Sequence, residues 1–250
     1  MSGTTTTTTK TTPKAILFTD WDGTVTLQDS NDYLTDHLGF GYDKRKVIND
    51  AMLIEERSFR DGFDEMLKSI PANGVSFQKC IEELLIHIQL DPGFKETYEW
   101  CFQNDIPVYV ISSGMKPIIE VLLKNLVGEE AMKHITIVSN DVEINGDDWN
   151  IVYKDETPFG HDKAISIDEC LSNYDMTTSK PLLFYCGDGV SDLSAAKSCD
   201  LLFARRGKDL VKFCSAQGIH YTQFDSFKDI LSDMKSILSG EKKLEDCFEE

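Results

Sequence analysis

The chain of 250 residues carries a formal net charge of −18, with 41% hydrophobic and 27% charged residues. This is the composition of an ordinary globular protein, long enough for one α/β domain with a sizeable insertion. The charge argues against nucleic acid and anionic membrane as partners, which need clustered Lys and Arg, and no apolar run or leader suggests a membrane span or secretion.

The expected location is cytoplasmic, with the nucleus a second compartment open to such a chain. The seven cysteines are scattered, with no Cys-x-x-Cys pair, and suit a reducing compartment in which they act as small core hydrophobes. Nothing in the sequence sets the oligomeric state.

Residues 1–13, rich in Thr, have no apolar periodicity and read as a disordered lead-in. The apolar run Ile16-Leu17-Phe18 then stops at Thr19-Asp20-Trp21-Asp22-Gly23-Thr24, the pattern of a buried parallel strand whose carboxyl end carries two acids. Ligands of open α/β sheets bind at that strand end, where Asp20 and Asp22 can converge on one site. Such a pair can hold a hard cation through oxygen, with one carboxylate left to attack.

From about Gln28 to Leu90, apolar residues recur at helical spacing in Tyr33-Leu34-His37-Leu38, Phe59-Phe63-Met66-Leu67 and Ile81-Leu84-Leu85-Ile88. A plain crossover rarely needs so many residues, so a helical module inserted after the first strand is expected. Asp91-Pro92-Gly93 opens a helix back to the core, with Phe94, Tyr98 and Cys101 on its buried side. A second strand over Pro107 to Ile111 ends in Ser112-Ser113-Gly114 before a helix from Pro117, a place where hydroxyls and free N–H groups can meet a phosphate oxygen.

Thr136 to Val138 reads as a short strand, and Val142 to Tyr153 as a hairpin around Asn145-Gly146. Lys163 stands in the first turn of a helix running through Cys170, against the dipole preference. A third strand, Leu182 to Cys186, ends in Gly187-Asp188-Gly189-Val190-Ser191-Asp192, where glycines around an acid allow a tight turn. A short helix to Ala196, a strand over Leu201 to Ala204, a helix from Asp209 to Ser215 and a closing helix from Phe227 to Leu238 follow. Residues 241–250 read as a charged, solvated tail.

Asp-x-Asp-Gly-Thr, a serine, a lysine and Gly-Asp-Gly-x-x-Asp in this order, each at a strand end or helix start, resemble the haloacid dehalogenase (HAD) superfamily of Mg²⁺-dependent phosphatases. The resemblance implies an α/β, Rossmann-like core with a parallel sheet and helices on both faces, residues 14–27 and 91–240, plus a small helical cap at 28–90. It implies Asp20 as the nucleophile that becomes an aspartyl-phosphate, and Asp22 as the acid that protonates the leaving alcohol and then activates water. Mg²⁺ would be held by Asp20, Asp188 and the backbone carbonyl of Asp22, with Asp192 close by. Ser112 and Lys163 would grip the phosphoryl oxygens, with Ser113 and Gly114 beside the substrate.

The helical insert is similar to the cap of the phosphoserine phosphatase-like branch, where a cap acid and a cap arginine read an amino acid. Asp29 stands near the acid's place; Arg57 and Arg60 lie in the arginine's region, but Asp64 stands nearer its expected position. The wording around Asp20 to Leu34 and Ser112 to Pro117 is similar to a fungal group associated with polyol (sugar alcohol) phosphates. Asp29 and Asn31 suit hydroxyls, although they could equally cap a helix. The expected partner is thus a small phosphorylated metabolite, most of all a polyol phosphate. The alternatives are phosphoserine or another small amino or alcohol phosphate and, from another class, a HAD scaffold that binds without turnover.

Overall fold

Strand β1, Ala15–Thr19, is buried along its whole length. Its alternate side chains enter two separate cores: Ala15 and Leu17 pack in one, Ile16 and Phe18 in the other. A strand covered on both faces has no polar side to show, which is why it reads as an unbroken apolar run. The computed structural model describes residues 11–146, 148–177 and 179–249, so most of the Thr-rich lead-in lies outside the described residues.

Four helices follow β1: α1 (Ser30–His37), α2 (Tyr42–Leu53), α3 (Phe59–Ala72) and α4 (Phe77–His87). The chain returns through α5 (Phe94–Gln103), β2 (Val108–Met115), α6 (Lys116–Leu126), α7 (Ala131–His134), β3 (Ile135–Asn145) and β4 (Asp148–Val152). Then come α8 (Lys163–Leu171), β5 (Leu182–Gly187), α9 (Leu193–Ala196), β6 (Leu201–Arg205), α10 (Asp209–Gln217), β7 (Thr222–Phe224) and α11 (Phe227–Ser239). The seven strands form one sheet in the order β4-β3-β2-β1-β5-β6-β7. Every neighbouring pair is parallel except the β3–β4 hairpin. An α/β sheet with helices on both faces and a helical insertion after the first strand is therefore the architecture, as the sequence implied.

Register places the chemistry. Thr19 pairs with Val110 of β2 and with Cys186 of β5. The ladder continues one step further, the Asp20 N–H donating to the Cys186 carbonyl at 2.8 Å. Acids just past the ends of β1 and β5 thus emerge side by side, with Ser112 on the strand beyond. The strand order reverses at β1, and that switch point is where such sheets open a crevice at their carboxyl ends.

The helical insert leaves and rejoins the core through two strands of linker lying against each other. Thr26 and Leu90 form an antiparallel bridge, and Asp91 donates its N–H to Val25 at 2.9 Å. Asp91, fully buried, fixes the return. Its Oδ1 accepts from Gly93 N and Phe227 N, both at 2.9 Å, and its Oδ2 meets Arg205 at 2.8 Å. The β3–β4 hairpin also reaches the insert: Trp149 Nε1 donates to the Val75 carbonyl and Tyr153 Oη to that of Arg60, both at 3.1 Å.

Several expectations are corrected. Strand β2 runs on past Ile111 to Met115, taking in Ser112, Ser113 and Gly114 and bulging between Ser112 and Met115. The Thr136 to Val138 strand is the start of one continuous strand over Ile135–Asn145 that leads directly into the hairpin. Over residues 241–249 the charged side chains are mostly exposed, but the segment is also packed: Cys247 is buried, Phe248 stacks on His220, and Glu249 N donates to the Tyr221 carbonyl at 2.8 Å. Glu249 lies beside β7, its Oε1 accepting from Gln223 N at 3.2 Å.

Candidate active site

Asp20 and Asp22 are carried by a turn that the backbone ties to itself. The Trp21 carbonyl accepts from Val25 N at 2.9 Å and Thr26 N at 3.0 Å, and Gly23 turns the chain at φ 70. A side chain at position 23 would be strained there, and its Cβ would fall 2.2 Å from Asp188 Oδ2. Glycine is therefore what lets this turn lie against the acid at the end of β5.

Each acid has its own environment. Asp20 Oδ1 accepts from Trp21 N at 2.7 Å and meets Lys163 Nζ at 2.9 Å. Burial pushes Asp20 up to about 7, against the pull of Lys163. Asp22 Oδ1 accepts from Ser30 N at 2.8 Å and its Oδ2 from Asn31 Nδ2 at 2.9 Å. Burial, reinforced by Asp29, holds the Asp22 carboxyl well above the ordinary range. Two carboxyls two residues apart thus have different surroundings, one beside a cation and one held by neutral donors.

Lys163, the first residue of α8, is completely buried. Burial disfavours its charge, but Asp192 and Asp20 outweigh that and hold its pKa above the ordinary value. Asp192 is saturated by protein donors: Lys163 at 2.6 Å and Tyr185 Oη at 2.6 Å on Oδ1, Asp188 N at 2.9 Å and Gly189 N at 3.0 Å on Oδ2. A carboxylate offers about four acceptor sites, so Asp192 serves to fix Lys163 and the 188–189 turn.

Oxygens of Asp20, Asp188 and Asp192 lie within 4.8 Å of one another. Burial, then Asp20 and Asp192, push Asp188 well above its ordinary range. Clustered, desolvated, all-oxygen donors of this kind fit a hard divalent cation, which would relieve the mutual repulsion. With Asp192 already filled, Asp20 and Asp188 are the carboxylates left to take it.

Asp20, Asp22, Asp29, Asp188, Ser112, Ser113 and Gly114 all line one cavity of about 210 Å³, walled on the other side by Met52, Phe59, Phe63 and Met66 of α2 and α3. Lys163 and Asp192 stand behind it. Ser112 Oγ accepts from Gly114 N at 3.0 Å, which leaves its O–H to donate. A Cβ on Gly114 would fall 2.9 Å from Asp22 Oδ2, so the bare backbone there makes room for the acid. Asp29 is the N-cap of α1, accepting from Asn31 N and Asp32 N, while still facing the cavity. The helix-cap reading of Asp29 is thus present together with its place in the lining.

The cap arginines are elsewhere. Arg57 pairs with Glu65, Arg60 with Glu156, and Arg45 with Asp32 and Asp36. Asp64, which stood nearest the expected arginine position, pairs with Lys68 and is not in the lining. Among the described residues the lining cation is Lys208, 3.5 Å from Asp188.

Sequence reasoning missed Lys208, Tyr185 and His161. Tyr185 reads as one more apolar strand residue, and Lys208 as a loop lysine. His161 is fully buried, with Nδ1 2.7 Å from the Ser112 carbonyl and Nε2 2.7 Å from Ser166 Oγ. As a neutral ring it donates from Nδ1 and accepts at Nε2, anchoring β2 under the site. Burial pushes it down to about 4.

That depression has a stability consequence. A base whose folded pKa lies below its unfolded value stabilises fully above the unfolded value and loses this as pH falls. Between pH 6.5 and 4, His161 should therefore cost on the order of 3 kcal/mol. In His161→Gln the fall in denaturant-derived stability between pH 7 and pH 4.5 should be correspondingly shallower than in the parent; identical slopes would contradict the assignment.

A sequence model of the haloacid dehalogenase-like hydrolases matches residues 17–197. The chain is 57% identical over 241 residues to Polyol phosphate phosphatase PYP1 of Saccharomyces cerevisiae, covering 94% of this chain and 99% of that one. It is 45% identical to Pdp3-interacting factor 1 of Schizosaccharomyces pombe, covering 88% and 95%. Its fold matches a solved phosphoserine phosphatase, a phospho-aspartyl intermediate analogue, with a TM-score of 0.62, 16% identity and coverage of 91% and 99%. The chain belongs to the haloacid dehalogenase-like hydrolase family.

Proposed function

We propose that this HAD-family phosphatase hydrolyses small polyol phosphates through an aspartyl-phosphate on Asp20. The observation that carries the substrate class is the cavity wall. It offers carboxyl, amide and hydroxyl groups with no arginine among the described lining residues, and its cation, Lys208, already faces Asp188 at 3.5 Å, so a substrate carboxylate would find no guanidinium to pair with. Asp32, on the same wall and paired with Arg45 at 2.5 Å, adds a further carboxyl that can accept from substrate hydroxyls. The yeast relative named for polyol phosphates supports the same choice.

The chemistry follows from the residues. Trp21 N–H and Lys163 hold Asp20 Oδ1, leaving Oδ2 without a hydrogen bond among the described residues. A carboxylate oxygen of Asp20 attacks phosphorus, the bond from phosphorus to the alcohol oxygen breaks, and Asp22 gives that oxygen its proton. Asp22, now ionised, takes a proton from water as the water attacks phosphorus. The bond to Asp20 breaks, inorganic phosphate leaves, and both acids return to their starting states.

Ser112 O–H and Lys163 donate toward the phosphoryl oxygens and offset charge that would otherwise repel the carboxylate. Mg²⁺ held by Asp20 and Asp188, with the Asp22 carbonyl, would supply the remaining charge neutralisation. The helices over the cavity exclude bulk water from the acyl phosphate.

The test is phosphate release from glycerol phosphate, longer polyol phosphates, phosphoserine and phosphoethanolamine, each with Mg²⁺ and with EDTA. Polyol esters should be preferred and turnover should vanish in EDTA. A preference for phosphoserine would overturn the substrate class, and absence of turnover on every ester would favour a binding scaffold.

A further inference from the structure

Asn31 sits on the first turn of α1 and is 3% exposed. Its Nδ2 donates to Asp22 Oδ2 at 2.9 Å, its backbone N–H goes to Asp29, and its carbonyl accepts from Thr35 Oγ1. Its Oδ1 is buried and has no hydrogen-bond partner among the described residues, although the residue lines the cavity. An unpaired buried acceptor is costly unless something else supplies the donor. Ser113 Oγ, buried on the same lining, is also unpaired among the described residues and offers a hydroxyl.

We infer that Asn31 is a specificity-determining residue that reads a hydroxyl on the carbon next to the phosphoester through Oδ1, while Nδ2 holds the acid. The placement dictates which hydroxyl. Asp22 must reach the ester oxygen to protonate it, and a planar amide bonded to Asp22 through one end presents its other end a few ångströms along the leaving group. The vicinal position of a polyol phosphate lies there, and its O–H supplies the donor that Oδ1 lacks. An alcohol without that hydroxyl leaves Oδ1 unpaired in the closed complex, so discrimination comes from rejecting the poorer substrate.

This rests on the polyol reading and sharpens it. Because Asn31 belongs to the inserted helices and Asp22 to the core, aligning the acid and checking the substrate become one event.

The test compares kcat/KM for glycerol 1-phosphate and for 3-hydroxypropyl phosphate, which lacks the vicinal hydroxyl, in the parent, Asn31→Ala and Asn31→Asp. The ratio is internal to each variant, so partly folded protein does not distort it. The parent should favour glycerol 1-phosphate by about tenfold or more. Asn31→Ala should turn both over more slowly at a ratio near one, while Asn31→Asp, which keeps an acceptor, should retain the preference. A tenfold ratio that persists in Asn31→Ala would leave Asn31 a mere support for Asp22 and overturn the inference. A parent with no preference between the two esters would overturn this inference and leave the polyol reading standing, whereas a parent that prefers phosphoserine to both would overturn the polyol reading and this inference with it.

Discussion

Asp20→Asn is expected to lose at least about 10⁴-fold of phosphate release and yet to melt no lower than the parent protein. An amide cannot form the acyl phosphate, and no neighbouring group substitutes for it, because Asp22 is hydrogen-bonded to Ser30 and Asn31 and Asp192 is saturated by four donors. Stability should move the other way for an electrostatic reason. Burial raises the folded pKa of Asp20 above its unfolded value, so in EDTA the parent loses stability as pH rises from about 4 to 7, where the chain must ionise Asp20 inside an acidic cluster. The neutral amide does not ionise, and its oxygen still accepts from Trp21 N–H and Lys163. Melting curves in EDTA at pH 5 and pH 8 should show the variant gaining most at the higher pH. Turnover within tenfold of the parent, or a variant that is uniformly less stable, would contradict this assignment.

Lys163→Met should carry the largest combined loss. The lysine stands fully buried between Asp20 at 2.9 Å and Asp192 at 2.6 Å. Its removal leaves two desolvated carboxylates without their cation, which costs about 3–5 kcal/mol when a buried pair is broken on one side. Turnover should fall by a factor on the order of 10³, since the charge facing the phosphoryl group goes too. The pH dependence separates this from a simple packing loss. Without Lys163 the folded pKa of Asp20 rises further above its unfolded value, so the destabilisation is greatest above neutral pH and shrinks as that acid protonates. A loss of stability equal at pH 5 and pH 8 in EDTA would identify Lys163 as a packing element only.

What the sequence made legible follows from how the fold is built. The strands that carry Asp20, Ser112 and Asp188 are buried on both faces, so each appears as an apolar run with an abrupt polar end. Parallel pairing on either side of β1 then converts three separate sequence positions into one cavity. Helices α3 and α4 were legible because Phe63, Met66, Leu67 and Ile70, and Phe77, Cys80 and Leu84, fall on one buried face at helical spacing.

Helix α2 was not, since its buried positions are Ile48 and Arg45, and Arg45 reaches inward to pair with Asp32 and Asp36 at 2.5 and 2.6 Å. A charged residue on the inner face erases the apolar period. Strand β7, only Thr222–Phe224, is too short to show any alternation. The contacts that complete the site were hidden for a different reason. His161 to Ser112 spans 49 residues and Tyr185 to Asp192 joins a strand to a turn, and no local pattern encodes either.

Asn31 shows the limit most clearly. As a residue in a run of polar side chains after the first strand, it is indistinguishable from a helix cap. Only the folded chain sets its amide between Asp22 and the cavity.

The most direct measurement is to trap the covalent state. Enzyme in excess over a polyol phosphate, with Mg²⁺, is quenched in acid during the first turnover, reduced with borohydride and digested for mass spectrometry. An aspartyl-phosphate reduces to homoserine, so a mass loss confined to position 20, absent in EDTA and in Asp20→Asn, is the predicted result. Rapid phosphate release with Asp20 unmodified at every quench time would contradict nucleophilic catalysis by this residue.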